Sequence, residues 1–200
     1  MAPHSPTIDQ EDTSATESAT LSSLYSFLSL IMRYPDAALS NDSLLDALES
    51  LLASLDWPDE LAAIRAWRAQ TAVPLDDLRT EYTRLFITSA PRTTMPLYAS
   101  VYMDGDGTLQ GKTTERTRDF YREHGYDLAD ENEPADHITL ELDFLAALAG
   151  EAKPEEEELF LRTLFRPWFE RFQEKWIKEA RHPFYAVSIR LIDFFTKEEQ

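Results

Sequence analysis

Apolar side chains return at steps of three and four residues in segment after segment of this chain, and nowhere alternate for long. Leu21, Leu24, Tyr25, Leu28, Ile31 and Met32 form one such stripe, and Leu44, Leu45, Leu48, Leu51, Leu52 and Leu55 a second. That spacing places the greasy positions on one face of a helix, whereas a half-buried strand needs period two. Only five of 200 residues are Gly, which removes the usual punctuation of hairpins and phosphate loops. The pattern therefore specifies an all-α protein.

Breakers and caps divide the chain further. Pro35 ends the first stripe, and Asn41, Asp42 and Ser43 offer a cap for the second. Trp57-Pro58-Asp59-Glu60 starts a third helix, continued by Leu61 and Ile64, and Pro74 starts a fourth carrying Leu75, Leu78, Tyr82, Leu85 and Phe86. From Thr88 to Gly111 the periodicity lapses into a loop holding Tyr98, Tyr102 and Met103. A polar helix over Thr113–His124 stops at Gly125, and an acidic linker covers 127–135. The next helix starts near Asp136 with Ile138, Leu142, Leu145 and Leu148 on one face. Glu155–Glu158 open another after Pro154, and Pro167 is expected to break or kink it. Trp168, Phe169, Phe172 and Trp176, then Phe184, Val187, Leu191, Ile192 and Phe195 after Pro183, complete the count. The expectation is one compact domain of eight to ten helices over 17–200, behind a disordered acidic tail over 1–16.

Charge narrows the partners. Lys plus Arg number 19 against 37 Asp plus Glu, a formal net charge of -18. Nucleic acid and anionic membrane surfaces repel such a chain, and a basic peptide complements it. Twelve of the carboxylates and one Lys fall between Asp127 and Glu158. With no Cys, disulfides, iron–sulfur clusters and thiolate zinc are excluded. No leader and no run of ~18 apolar residues is visible, so a cytoplasmic location is expected.

Catalytic signatures are absent: no nucleophile elbow, P-loop or dinucleotide fingerprint is present. His137 and Glu141, four apart on a helix, are a candidate metal pair. Asp104, Asp106, Thr108 and Glu115 imitate part of a calcium loop, but Leu109 stands where the sharp turn needs Gly. A small helical metal-binding protein or enzyme, or an unrelated helical interaction module, are thus the alternatives. Within 131–145 (ENEPADHITLELDFL), Asp136 is expected to cap the following helix and His137 to sit in its first turn.

That same segment resembles the signature of the TorD-type family (TorD/DmsD/NarJ-like), chaperones that mature molybdenum-containing redox enzymes. The family block is Glu-x-Pro-x-Asp-His opening a helix, with Glu-Leu-x-Phe after it. Glu81–Phe86 followed by Pro96–Tyr102 is similar to its Tyr-x-x-Leu-Phe and Pro-x-x-x-Ser-x-Tyr stretch; Leu109–Thr114 with Phe120, Tyr121 and Gly125, and His182–Tyr185, match later blocks. The likeness covers roughly Leu75 to Phe195. Thr88–Pro91 departs from the family's Gly-Pro, and Tyr98 stands where some members carry Trp.

The resemblance implies a TorD-like helical fold and a non-enzymatic role. Its members bind the twin-arginine signal peptide of a partner enzyme in the cytoplasm and hold the apo catalytic subunit ready for molybdenum-cofactor insertion. Carried over residue by residue, the implied peptide site is Leu85, Phe86, Tyr98, Ser100, Tyr102, Gly111, Asn132, Glu133, Asp136, His137 and Glu141, with no metal. No cofactor is expected to stay bound; transient contact with molybdopterin guanine dinucleotide or a guanine nucleotide is. A monomer, or a dimer exchanging helices about a hinge at 127–135, is expected.

Overall fold

The computed structural model describes residues 8–36, 42–87, 94–105, 109–128, 133–179 and 181–197. Among the described residues ten α-helices follow one another: α1 (Ile8–Ile31), α2 (Asp42–Ser54), α3 (Pro58–Gln70), α4 (Pro74–Tyr82), α5 (Ala99–Met103), α6 (Lys112–Glu123), α7 (Ile138–Gly150), α8 (Pro154–Phe160), α9 (Arg166–Glu179) and α10 (Pro183–Thr196). Among the described residues the only strand-like pairing is an isolated bridge between Tyr98 and His137. The all-α expectation holds.

Four of these helices open on proline, at Pro58, Pro74, Pro154 and Pro183. At that position the missing N–H has no intrahelical partner to lose, and the fixed φ already suits a helix. Gly125 follows α6 with φ at 83°, the left-handed conformation that ends a helix without a Cβ clash. Pro167 does not end the helical run begun at Pro154. The chain widens into a π turn at Leu161–Phe165 and resumes as α9, absorbing the hydrogen bond that Pro167 cannot make.

The helix α7 is central. Its sequence shows one apolar face, but nine of its thirteen residues are buried, including Ile138, Leu142, Phe144, Leu145 and Leu148. A helix this apolar all round belongs inside the fold. Small residues let α1 cross it closely: Ser22 Oγ donates to Ala146 O (2.7 Å) and Ser29 Oγ to Thr139 O (3.1 Å). A Cβ on Gly150 would stand 3.1 Å from Ser22 Oγ. On the other side Phe144 meets Tyr121, Phe120, Tyr126 and Phe160 at ring separations of 4.5 to 5.9 Å. A second aromatic cluster joins Phe165, at the end of that π turn, to Trp168, Phe169 and Phe172 on α9.

A further expectation differs from the structure. Helix α1 reaches back to Ile8, so the disordered tail expected over 1–16 does not describe 8–16. No Pro or Gly lies between Ile8 and Arg33, and a helix anchored by packing propagates cheaply through such a stretch. Residues 1–7 lie outside the described residues, as do 129–132 of the expected hinge. Replacing Phe144, 4% exposed, by Ala is expected to cost about 3–5 kcal/mol, read as a fall in midpoint by thermal or urea unfolding.

Candidate functional site

A π turn at Thr83–Ile87 carries α4 into the segment 94–98, and Met95 N–H returns to Leu85 O (2.9 Å). The segment then runs beside the lead-in to α7. Ile138 N–H donates to Leu97 O (2.9 Å) and Ala99 N–H to Asp136 O (3.0 Å), flanking the Tyr98–His137 bridge. Asp136 adds its side chain, Oδ2 accepting from Ser100 N–H at 2.7 Å. These bonds fix two stretches far apart in sequence as one rigid edge.

A cavity of about 290 Å³ opens against this edge. Tyr82, Phe86, Ile87 and Leu97 form its apolar side; Tyr98, Glu133, His137 and Thr139 close another; Arg33 and Tyr34, just past the end of α1, form the rim. Tyr82 lies edge-on to Tyr34 (5.4 Å) and to Phe86 (4.9 Å), and Phe86 stacks behind on Trp176. Tyr98 OH donates to Glu133 Oε1 (2.8 Å), and its ring lies edge-on to His137 at 4.8 Å. Burial, and next the Glu133 bond, push the Tyr98 phenol up, so it stays a donor at neutral pH. Tyr34 and Ile87 are 49% and 54% exposed, so their apolar faces lie at the surface of the cavity mouth rather than in the core.

His137 is the N-cap of α7, with Nδ1 accepting from Thr139 N–H (3.4 Å) and lying 2.7 Å from Thr139 Oγ1. Burial holds its pKa below the ordinary 6.5, against the opposing pull of Glu133 and Asp136. The ring is therefore neutral, with its proton on Nε2.

Of the residues expected in the site, Phe86, Tyr98, Glu133 and His137 come together in this cavity. Others serve its frame. Leu85, Ser100, Asp136 and Glu141 are buried at 1% exposure or less. Contrary to expectation, Asp136 does not cap α7: its carboxylate accepts from Ser100 N–H at the start of α5, and His137 caps α7. Tyr102 faces away, stacked on Trp168 with Lys175 Nζ over its ring, its OH bonded to Pro96 O. Gly111 begins α6 where any Cβ would strike Asp104, whose carboxylate holds Thr113 N–H. Asn132 lies outside the described residues.

The acidic concentration over 127–158 reaches the cavity only through Glu133 among the described residues. Asp143 is engaged by Arg33 (2.8 Å) at the rim, and Glu141 by Trp168 Nε1 (2.9 Å) inside. His137 and Glu141 thus bond different partners, and among the described residues no group of three or more metal-binding side chains converges; Asp106 and Thr108 lie outside them. Sequence reasoning missed Arg33, Tyr34, Tyr82, Ile87, Leu97 and Thr139 as lining residues. Tyr82 and Leu97 lay within the quoted motifs, but nothing local marks Arg33 and Tyr34. A second cavity of about 510 Å³ lies along α6, with Gln110, Arg118, Arg122 and Tyr126 in its walls.

A sequence pattern described as nitrate reductase delta subunit matches residues 36–180, well over half of the chain. The chain belongs to that family. A chaperone protein TorD of Vibrio vulnificus (strain YJ016) is 28% identical over 131 residues, 60% of each chain. One from Aliivibrio fischeri is 28% identical over 183 residues, covering 86% of this chain and 77% of that protein. The Tat proofreading chaperone DmsD of Salmonella paratyphi A is 36% identical over 93 residues, 46% of each. The match therefore spans about 60% of the first TorD relative's length. A solved structure titled as a redox enzyme maturation protein from Archaeoglobus fulgidus shares the fold at a TM-score of 0.58 and 28% identity, covering 88% of this chain and 93% of that one. Among the described residues no helix is long and apolar enough to cross a membrane.

The His137 ring sets a pH dependence with a definite sign. Its folded pKa is lowered, so the unfolded chain binds more protons below pH 6.5; stability is complete above that value and is withdrawn as pH falls through it. Thermal unfolding from pH 8 to pH 5.5 is expected to show this loss, and His137→Asn, which keeps a capping acceptor, to reduce its slope.

Proposed function

We propose that this family member is a non-enzymatic maturation chaperone of a molybdenum-containing redox enzyme, and that its 290 Å³ cavity receives that enzyme's twin-arginine signal peptide in the cytoplasm before export. The observation that carries the reading is the half-exposed apolar mouth of Tyr34 and Ile87 over an aromatic floor, with Glu133 in the wall. An export leader of this kind pairs a basic stretch with an apolar helix-forming run, and the mouth offers a complement to each. Relatives named chaperone TorD and Tat proofreading chaperone support the same reading.

The division of labour follows from magnitudes. Burying one Leu or Phe side chain contributes about 1.5–3 kcal/mol. A partly exposed ion pair at Glu133 contributes about 0–1 kcal/mol. The apolar run supplies affinity, and Glu133 supplies orientation and register.

Isothermal titration with a synthetic twin-arginine peptide tests this directly. Ile87→Ser and Tyr34→Ala leave the core intact and are expected to weaken binding about tenfold or more. Glu133→Gln is expected to narrow the preference for Arg-Arg over Lys-Lys while binding persists. Affinity indifferent to scrambling of the apolar run and to both mouth substitutions would sink the proposal.

Transient contact with molybdopterin guanine dinucleotide or a guanine nucleotide is assigned, in this reading, to the cavity along α6. Arg118 and Arg122 lie one turn apart there, a spacing suited to phosphate oxygens, with Gln110 nearby. Arg118→Ala with Arg122→Ala is expected to abolish guanosine diphosphate binding in titration calorimetry without altering peptide affinity; an unchanged nucleotide isotherm overturns this assignment.

A further inference from the structure

Behind the Tyr98–His137 edge, two carboxyl groups stand at 0% exposure, Asp136 in the turn before α7 and Glu141 on α7 itself. Each has one oxygen engaged and one without a protein partner. Asp136 Oδ2 accepts from Ser100 N–H, and Oδ1 has none; Glu141 Oε2 accepts from Trp168 Nε1–H, and Oε1 has none. Among the described residues no Lys or Arg pairs with either one. The titratable groups that feel them are the Tyr121 phenol, which donates to Ala135 O, and, for Asp136, the Tyr98 phenol and the neutral His137 ring; the carboxylates Asp143 and Glu133 act on Tyr121 and His137 in turn. Among the described residues no cation offsets two buried charges, and a low-dielectric interior does not tolerate both.

The two orphan oxygens are chemical complements if one carries hydrogen. A carboxyl O–H on Glu141 Oε1 is a donor in need of an acceptor, and Asp136 Oδ1 is an acceptor in need of a donor. The charge belongs on Asp136, whose other oxygen takes a short bond from a backbone N–H. We propose that Asp136 and Glu141 hold a single proton between them, carried by Glu141, and that Glu141 is thereby a positioning residue for the Tyr98–His137 wall of the peptide cavity. Burial and the charge of Asp136 both raise the pKa of Glu141, consistent with this placement.

The link to the cavity is short. Asp136 bonds Ala99 N–H through its carbonyl and Ser100 N–H through its carboxylate, and Tyr98 and His137 are the adjacent residues on each strand of the edge. Loss of the Glu141 proton sets a second negative charge against Asp136, drives it from α5, and loosens Tyr98. Below pH 10 this change is not the tyrosines' own, because burial raises the phenols of Tyr98 and Tyr121 above that value.

The proton stands by itself; its effect on binding rests on the peptide reading above. Infrared difference spectroscopy of the full chain between pH 6 and 9.5 is expected to show a protonated-carboxyl band at neutral pH. Glu141→Gln, an isosteric change that preserves the fold, is expected to remove it, and Asp136→Asn to move its titration to lower pH. A missing band, or one that survives Glu141→Gln, overturns the proposal; a band whose titration ignores Asp136→Asn overturns the sharing. Across the same pH range peptide affinity is expected to fall about tenfold for the native chain and less than about twofold for Glu141→Gln. Parallel losses in both overturn the positioning role, whereas a native chain that binds no peptide at any pH refutes the peptide reading and leaves the band to decide the proton.

Discussion

A carboxylate bonded to an amide 36 residues earlier in the chain holds this structure's working edge together. Asp136 spends its side chain on Ser100 N–H and its carbonyl on Ala99 N–H, and around it Leu97, Tyr98, His137 and Ile138 are drawn into register. Without that clamp the segment after the first π turn would be a free loop, and long loops without anchors do not hold a cavity wall in place. With it, Tyr98 meets Glu133 and His137 at fixed distances, and the cavity acquires a stiff polar wall opposite a stiff aromatic one. Buried polar bonds of this kind contribute modest net stability but decide between alternative arrangements.

The helices were legible in the sequence because their signals are local. Proline at the first helical position, Gly125 past the last turn of α6 and the three–four spacing of leucines each depend on neighbours within a few residues. The burial of α7 on nearly every side was less legible: Phe144 lies off the stripe of Ile138, Leu142, Leu145 and Leu148, and only the rings of Phe120, Tyr121, Tyr126 and Phe160 make it interior. Likewise nothing local distinguishes a proline that halts a helix from one that a π turn accommodates, as at Pro167.

The site was legible in part, for the same reason. A motif names residues without saying which way they face. Glu133 and His137 look outward into the cavity, whereas Asp136 and Glu141, from the same stretch, look inward; a turn followed by helical rotation separates them. Tyr98 and Tyr102 sit four apart and were expected on one wall, yet the short α5 begins between them and turns Tyr102 toward Trp168. Arg33 and Tyr34 reach the rim only through tertiary folding, and no pattern within the chain announces them.

Those last two residues set a boundary inside the cavity. The region matched to the family begins at residue 36, just past them, so the aromatic floor and the Tyr98–His137 edge lie inside that match and the rim at Arg33 and Tyr34 lies before it. Because α1 lies along α7 through Ser22 and Ser29, its tail end is carried at a fixed height over the opening. How α1 packs on α7, rather than the residues of the floor, therefore sets how wide the cavity opens.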